Sequence, residues 1–257
     1  LLLAWAAAAR AHDVWLMPES FRPAAGDRVA VRLFVGERFA GQELARNARL
    51  VDRFWAIGPR GDSELSGAHG LAPAGLLTVR DAGAHLVTYR SHGGRIELPA
   101  AQFEAYLLEE GLERIVELRR ERGQSEAPAR EAFARCAQTL LWAGGLPAPP
   151  PGPAGCPFEL ALESDPSATA APGELTLRAL LRGDALAGAR VVALPQGAPE
   201  RAVSGRSGED GRVVLPLAEG GVWLVKAVHM EAADDQPGID WQSWWASVTF
   251  SLGEEGD

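Results

Sequence analysis

Residues 28–36, RVAVRLFVG, alternate polar and apolar side chains, and this pattern decides the fold class. The apolar side chains are Val29, Val31, Leu33 and Val35. In an extended chain every second side chain points to the same face, so these four would form one buried face of a strand. The stretch therefore predicts a half-buried β-strand.

Short apolar runs of the same kind recur through most of the chain, separated by turns rich in glycine, proline and aspartate. In the first half they are residues 14–17, 53–57, 76–79 and 85–90. In the second half they are residues 158–162, 174–181, 189–194, 201–204, 212–217, 221–229 and 246–252. Short strands at this spacing are typical of antiparallel sandwiches. We expect a mostly β protein with two antiparallel β-sandwich domains, the second of them immunoglobulin-like.

Residues 100–145 change to a helical period, which predicts a helical insertion between the two sandwiches. One helix is expected in residues 101–120, with Gly111 placed where it would break or kink the pattern. A second helix is expected from Ser125 to the Gly144 pair, with apolar residues recurring three and four positions apart.

The proline-rich segment 146–155, LPAPPPGPAG, predicts the domain boundary, because this composition suits a stiff linker. The expected organisation is an N-terminal sandwich with two C-terminal helices in residues 12–145, an immunoglobulin-like domain in 156–252, and a polar tail in 253–257.

Residues 1–11, LLLAWAAAARA, resemble the end of an export signal. The last three fit the A-x-A pattern of a signal-peptidase site, so cleavage would leave His12 as the first residue of the mature protein. No later apolar run has the length of a transmembrane helix. We therefore expect a soluble periplasmic or secreted protein with no transmembrane segment in its mature chain.

Composition limits the partners. The chain has 257 residues, 47% of them hydrophobic, which favours a packed core over disorder. Its formal net charge of −9 argues against a nucleic-acid partner. Lys226 is the only lysine; the other basic side chains are arginines. No nucleophile elbow, phosphate-binding loop, dinucleotide fingerprint or zinc-protease motif occurs, so the sequence does not predict an enzyme.

The two cysteines, Cys136 and Cys156, are expected to pair, because exported proteins usually oxidise such a pair. A free buried thiol at Cys136 and a two-cysteine metal site are the alternatives. The metal site is disfavoured because no second ligand lies close in sequence.

Several residues could bind a metal or a glycan. A mature N-terminal His12 would offer its α-amine and imidazole as a chelating pair for Cu(II) or Ni(II). His229 shares a strand face with Val225 and Ala227, which also suits a core histidine. His92 at a strand end could reach a site, and Asp240 is either an oxygen ligand or a turn residue. The tryptophans of residues 241–245 suggest an exposed sugar-binding platform, or simply packing.

Several segments together resemble a bacterial periplasmic family of unknown function that is associated with nickel and cobalt uptake (NikK/NikM-like). They are residues 12–16, 31–39, 103–112, 223–230 and 240–250, which span nearly the whole mature chain. Some relatives carry a membrane segment and this chain has none, so the resemblance favours a metal-binding accessory protein beside a membrane metal importer.

The resemblance also implies a ligand set. His12 and His229 would hold a divalent transition metal (Ni, Co or Cu), with Asp13, His92 or Asp240 as a further ligand. Two alternatives stay open. One is a non-catalytic carbohydrate-binding or adhesion-type sandwich protein, and the other is a copper-binding histidine-brace protein.

Overall fold

The computed structural model describes residues 12–145, 149–169 and 171–253, which form seventeen named strands and two α-helices. Before the proline-rich segment the strands are β1 (Asp13–Pro18), β2 (Arg28–Glu37), β3 (Ala40–Leu44), β4 (Val51–Gly58), β5 (Gly61–Glu64), β6 (Gly75–Thr78), β7 (Gly83–Ser91), β8 (Gly94–Leu98) and β9 (Ala129–Ala143). After it they are β10 (Phe158–Leu162), β11 (Gly173–Leu181), β12 (Asp184–Ala185), β13 (Arg190–Pro195), β14 (Val203–Arg206), β15 (Arg212–Leu217), β16 (Gly221–Ala232) and β17 (Trp241–Leu252). The helices are α1 (Ala100–Glu109) and α2 (Glu113–Glu121), and a short 3-10 turn covers Pro199–Arg201.

A nine-stranded sheet forms the centre of the molecule, in the order β14-β13-β16-β17-β9-β7-β4-β5, with β8 beside the first part of β9. The β9–β17 pair is parallel, and the other pairs of described strands are antiparallel. Strands from both sides of the proline-rich segment therefore share one sheet. The boundary at residues 146–155 stays a prediction; residues 149–155 contain no helix or strand, and 146–148 lie outside the described residues.

Two smaller sheets cover opposite faces of the central sheet and make two sandwiches, as the strand pattern predicts. One contains β1, β2, β3 and β6, and the other contains β10, β11, β12 and β15. Alternate residues of β9 enter the two cores: Leu141 and Ala143 pack with the first sheet, and Leu140 and Trp142 with the second. The predicted one-sided burial of β2 is confirmed, with Val29 almost fully buried.

The helical insertion is confirmed for its first part. Helices α1 and α2 cover part of the central sheet, where Phe103 and Tyr106 pack against Trp241 and Trp245. The predicted break occurs at Gly111, whose φ of +73° favours glycine. A Cβ at this position would also lie 2.5 Å from Cδ of Arg190, so the turn needs glycine for space as well.

The second predicted helix, from Ser125 to Gly144, is wrong, because residues 129–143 form the long strand β9. Its apolar residues are spaced like a helical stripe, but the last eight residues of β9 are all buried. A strand that lies inside a sheet covered on both faces is buried continuously and is mostly apolar, and periodicity alone does not separate such a run from a buried helix.

The predicted disulfide between Cys136 and Cys156 is confirmed. Cys136 belongs to β9 and Cys156 comes just before β10, and both pack against the buried Trp55. The bridge therefore ties the second small sheet to the central sheet. The predicted export segment, residues 1–11, and residues 254–257 of the tail lie outside the described residues. Within the described ranges, neither helix has the length and apolar character needed to cross a membrane.

Candidate functional site: a cleft at the start of the first strand

A cleft of about 460 Å³ lies between α1, the β2–β3 hairpin and the face formed by β13 and β16. Asp13, the first residue of β1, contributes to its lining, so the cleft lies beside the expected mature N-terminus. We call this space the N-terminal cleft.

Lys226 forms the polar floor of the N-terminal cleft. Its Nζ lies 2.7 Å from Oδ1 of Asp13 and 2.9 Å from Oε1 of Glu110. The side chain of Lys226 is 16% exposed and the two carboxylates less than that. The only lysine of the chain is thus an internal counter-ion, and it joins β16 to β1 and to the end of α1.

Burial and charge act against each other in this ion triad. Burial raises the pKa of Asp13 and of Glu110, although attraction to Lys226 opposes the rise. Burial alone would lower the pKa of Lys226, but attraction to the two carboxylates outweighs it and raises this pKa. The ammonium therefore stays charged at neutral pH. Two carboxylates around one cation leave an excess of negative charge in the floor.

His12 precedes Asp13, which lines the N-terminal cleft. The Arg135 guanidinium donates to its carbonyl oxygen at 3.3 Å, which fixes the backbone where the chain enters β1. Nδ1 of His12 lies 3.4 Å from Oε1 of Glu37. That nitrogen is buried, but no described residue makes a well-aligned hydrogen bond to it. It is an unsatisfied polar atom beside a carboxylate.

His229 lies on the opposite face of β16 from Lys226, as the strand alternation predicts. Its ring stacks on Trp244, its direct neighbour on β17, with 6.1 Å between ring centroids. Nε2 lies 3.5 Å from Oε1 of Glu231. Burial lowers the pKa of His229, and the hydrogen bond to Glu231 opposes this shift. The central sheet separates this imidazole from Asp13 and the N-terminal cleft.

The other two predicted ligands lie elsewhere. His92 follows β7 and is 58% exposed, with Nδ1 at 3.7 Å from Oδ1 of Asp52. Asp240 accepts hydrogen bonds from the backbone N–H and the guanidinium of Arg130. The guanidinium lowers the pKa of Asp240. Asp240 therefore fixes the start of β9 beside the start of β17.

The structure thus brings His12 and Asp13 together with Glu37, and it does not bring His229, His92 or Asp240 to them. Among residues 12–145, 149–169 and 171–253, no group of three or more His, Cys, Asp or Glu side chains is arranged to hold a metal ion. A site that uses the α-amine of a processed His12 differs from these groups, because one of its ligands is a main-chain nitrogen and not a side chain.

The tryptophans of residues 241–245 mostly pack in the protein core. Trp241 is fully buried and Trp245 is 6% exposed, and both contact helix α1. Trp244 is half-buried between His229 and Arg182, whose guanidinium lies 4.9 Å from the ring centroid. A row of exposed tryptophans for sugar stacking is therefore absent from this strand.

The sequence did not reveal Lys226 and Glu110 as site residues. One signal was available: a single lysine inside an otherwise apolar strand, VWLVKAVHM, needs a buried counter-ion. Which carboxylates supply it depends on contacts 213 and 116 residues apart, which no local pattern predicts.

Comparison with known proteins gives one family match. No curated protein has a significantly similar sequence. Among solved structures, the D0-D1 domain of Intimin matches with 9% sequence identity over 91% of this chain and 96% of its own, at a TM-score of 0.23. A score this low carries no argument about the site. The family model described as a domain of unknown function, DUF4198, matches residues 9–231, so the chain belongs to the DUF4198 family.

Proposed function

We propose that this protein is a periplasmic or secreted metal-binding accessory protein, which holds a divalent transition metal at its processed N-terminus. The metal would be Ni(II) or Co(II) as cargo for a membrane importer, or Cu(II). The proposal involves no catalysis. It depends on cleavage after Ala11, which would make the α-amine of His12 available next to its imidazole.

One observation carries the proposal: Nδ1 of His12 is buried, lacks an aligned hydrogen bond and lies beside the Glu37 carboxylate. A buried polar atom without a partner is costly, so it needs an explanation. In an N-terminal histidine, Nδ1 is the ring nitrogen that can close a chelate ring with the α-amine. The Glu37 carboxylate then supplies an oxygen donor and charge compensation.

The ligand set is therefore narrower than the sequence suggests. Asp13 is held by Lys226, and Asp240 by Arg130. His229 lies across the central sheet, in contact with Trp244. The proposed ligands are the α-amine and imidazole of His12 together with Glu37.

Calorimetric titration of Ni(II), Co(II) and Cu(II) tests this set on three forms of the protein that begins at His12. The first is unmodified, the second is acetylated at the α-amine, and the third carries His12→Gln. Because Lys226 is buried in an ion triad, the α-amine is the only accessible amine, and mass spectrometry should report one acetyl group. We expect the second and third forms to bind at least about tenfold more weakly, since each lacks one nitrogen of the chelate.

Glu37→Gln should weaken binding less, and His229→Gln should leave the affinity unchanged. Equal affinity of the free and acetylated forms would exclude the α-amine and overturn the proposal. Tightest binding of Cu(II), together with reductant-dependent chemistry, would favour the histidine-brace alternative.

A further inference from the structure

Two opposite charges without partners face the N-terminal cleft. Arg38 and Glu109 both line it and both are exposed. Among the described residues, neither side chain forms a hydrogen bond or an ion pair. Two other arginines in or beside the cleft already have partners. Arg190 donates to the Glu109 carbonyl oxygen, and Arg206 forms an ion pair with Glu113.

The β2–β3 turn holds Arg38 in an uncommon backbone conformation. Arg38 and Phe39 have φ angles of 53° and 61°, a region that side-chain-bearing residues seldom occupy. Phe39 is buried and packs edge-on against Trp15, at 5.6 Å between ring centroids. This aromatic anchor keeps the turn in place, and Arg38 lines the cleft from it.

The two walls of the cleft differ in polarity. The α1 wall presents Gln102 and Glu109, and the opposite wall presents Val192, Leu194 and Pro199. The floor is closed by Lys226, whose charge is already compensated by Asp13 and Glu110. Small-molecule sites commonly combine an apolar surface with a few polar groups that fix orientation, in volumes of roughly 300–1,000 Å³.

We propose that the N-terminal cleft binds a free α-amino acid with an aliphatic side chain. The carboxylate of the ligand pairs with Arg38, the ammonium group pairs with Glu109, and the side chain packs on Val192 and Leu194. A zwitterion satisfies both unpaired charges at once, which a simple anion or a simple amine does not. The site uses neither His12 nor Glu37, although Glu37 lines the same cleft, so leucine binding does not require the proposed metal.

Calorimetry and thermal unfolding with L-leucine test the proposal, in a buffer with EDTA so that metal does not contribute. L-leucinamide, which lacks the carboxylate, and N-acetyl-L-leucine, which lacks the ammonium group, are the matched probes. We expect L-leucine to bind and to raise the unfolding midpoint, and both derivatives to bind at least about tenfold more weakly, since each loses a charged hydrogen bond.

Arg38→Gln and Glu109→Gln should each weaken L-leucine binding by about tenfold or more. Arg28→Gln and Glu117→Gln, which remove exposed charges away from the cleft, are the controls and should bind like the wild type. The unfolding midpoints without ligand should agree among all five proteins. Binding of leucinamide as strong as that of leucine would show an amine site and overturn the proposal, as would absence of leucine binding.

Discussion

Strand β16 carries Lys226 on one face and His229 on the other, and the surroundings of the two side chains differ. On one face Lys226 is enclosed with Asp13 and Glu110 and is bound by two short ion pairs. On the other face His229 stacks on Trp244 and lies tilted against Phe158, with a single long contact to Glu231. The two side chains are three positions apart along the strand, and the central sheet separates their surroundings.

This difference shows which face of β16 holds distant segments of the chain together. The Lys226 face joins three segments that are far apart in sequence, so its ions act as connections between β1, α1 and β16. The His229 face is completed by its neighbour on β17 and by Phe158 of β10. We therefore expect substitutions on the first face to affect the whole fold and those on the second face to act locally.

The largest effect is expected for Lys226→Met. This change leaves Asp13 and Glu110 buried beside each other without a cation, and breaking a buried ion pair in this way costs about 3–5 kcal/mol. Urea unfolding followed by tryptophan fluorescence measures the loss in the free energy of unfolding.

The matched control is the triple variant in which Lys226→Met is combined with Asp13→Asn and Glu110→Gln. Removing the uncompensated charges should restore part of the lost stability. If the triple variant were less stable than Lys226→Met alone, the ion triad would not be the cause of the loss.

A smaller but still global effect is expected for the bridge on the opposite face of the sheet. The double variant Cys136→Ala, Cys156→Ala removes a cross-link between residues 20 positions apart. From the entropy of the unfolded chain, we expect the free energy of unfolding to fall by about 3 kcal/mol. Reductant should destabilise the wild type and leave the double variant unchanged. A double variant as stable as the wild type would show that packing around Trp55 alone holds β10 on the central sheet.

His229 should give a local effect that depends on pH. Burial lowers the pKa of His229 below its usual value of 6.5, so the unfolded chain takes up a proton first as the pH falls. The stability contributed by the neutral imidazole is present above pH 6.5 and is lost as the pH falls through the folded-state pKa. His229→Gln should flatten the decline in the free energy of unfolding below pH 6.5.

The exposed His92 provides the matched control for this experiment. His92→Gln should keep the wild-type dependence of stability on pH. An equally steep decline in His229→Gln would mean that other groups, such as buried carboxylates, govern the acid limb.

Much of the fold could be predicted, because alternation is a local property. The pattern in β2 and the faces of β16 are both as expected. The pattern of strand β9 predicts a helix, because its last half is buried on both faces and its exposed positions are too few to set a period of two. The parallel pairing of β9 with β17 joins segments 110 residues apart, and no local pattern predicts such a contact.

The candidate site could be predicted only in part. His12 is predicted from its place beside a cleavage pattern and Asp13 from the family resemblance, and Asp13 does line the cleft. Asp240 was a reasonable oxygen ligand by residue type, but its partner is Arg130, which lies 110 positions away. Residue type indicates what a side chain is able to bind, whereas tertiary contacts decide whether another protein group already occupies it.

The smallest effect is expected for Asp240→Asn. This variant tests whether Asp240 is a metal ligand or only the partner of Arg130. The change keeps the shape of the side chain and weakens its contact with the half-exposed Arg130, so we expect a loss of about 1 kcal/mol or less. Affinity for Ni(II), Co(II) and Cu(II) should stay at the wild-type value, because Asp240 is held at the β9–β17 junction rather than beside His12. A clear loss of metal affinity at unchanged stability would return Asp240 to the ligand set, and would mean that the metal lies at the junction of the two parallel strands.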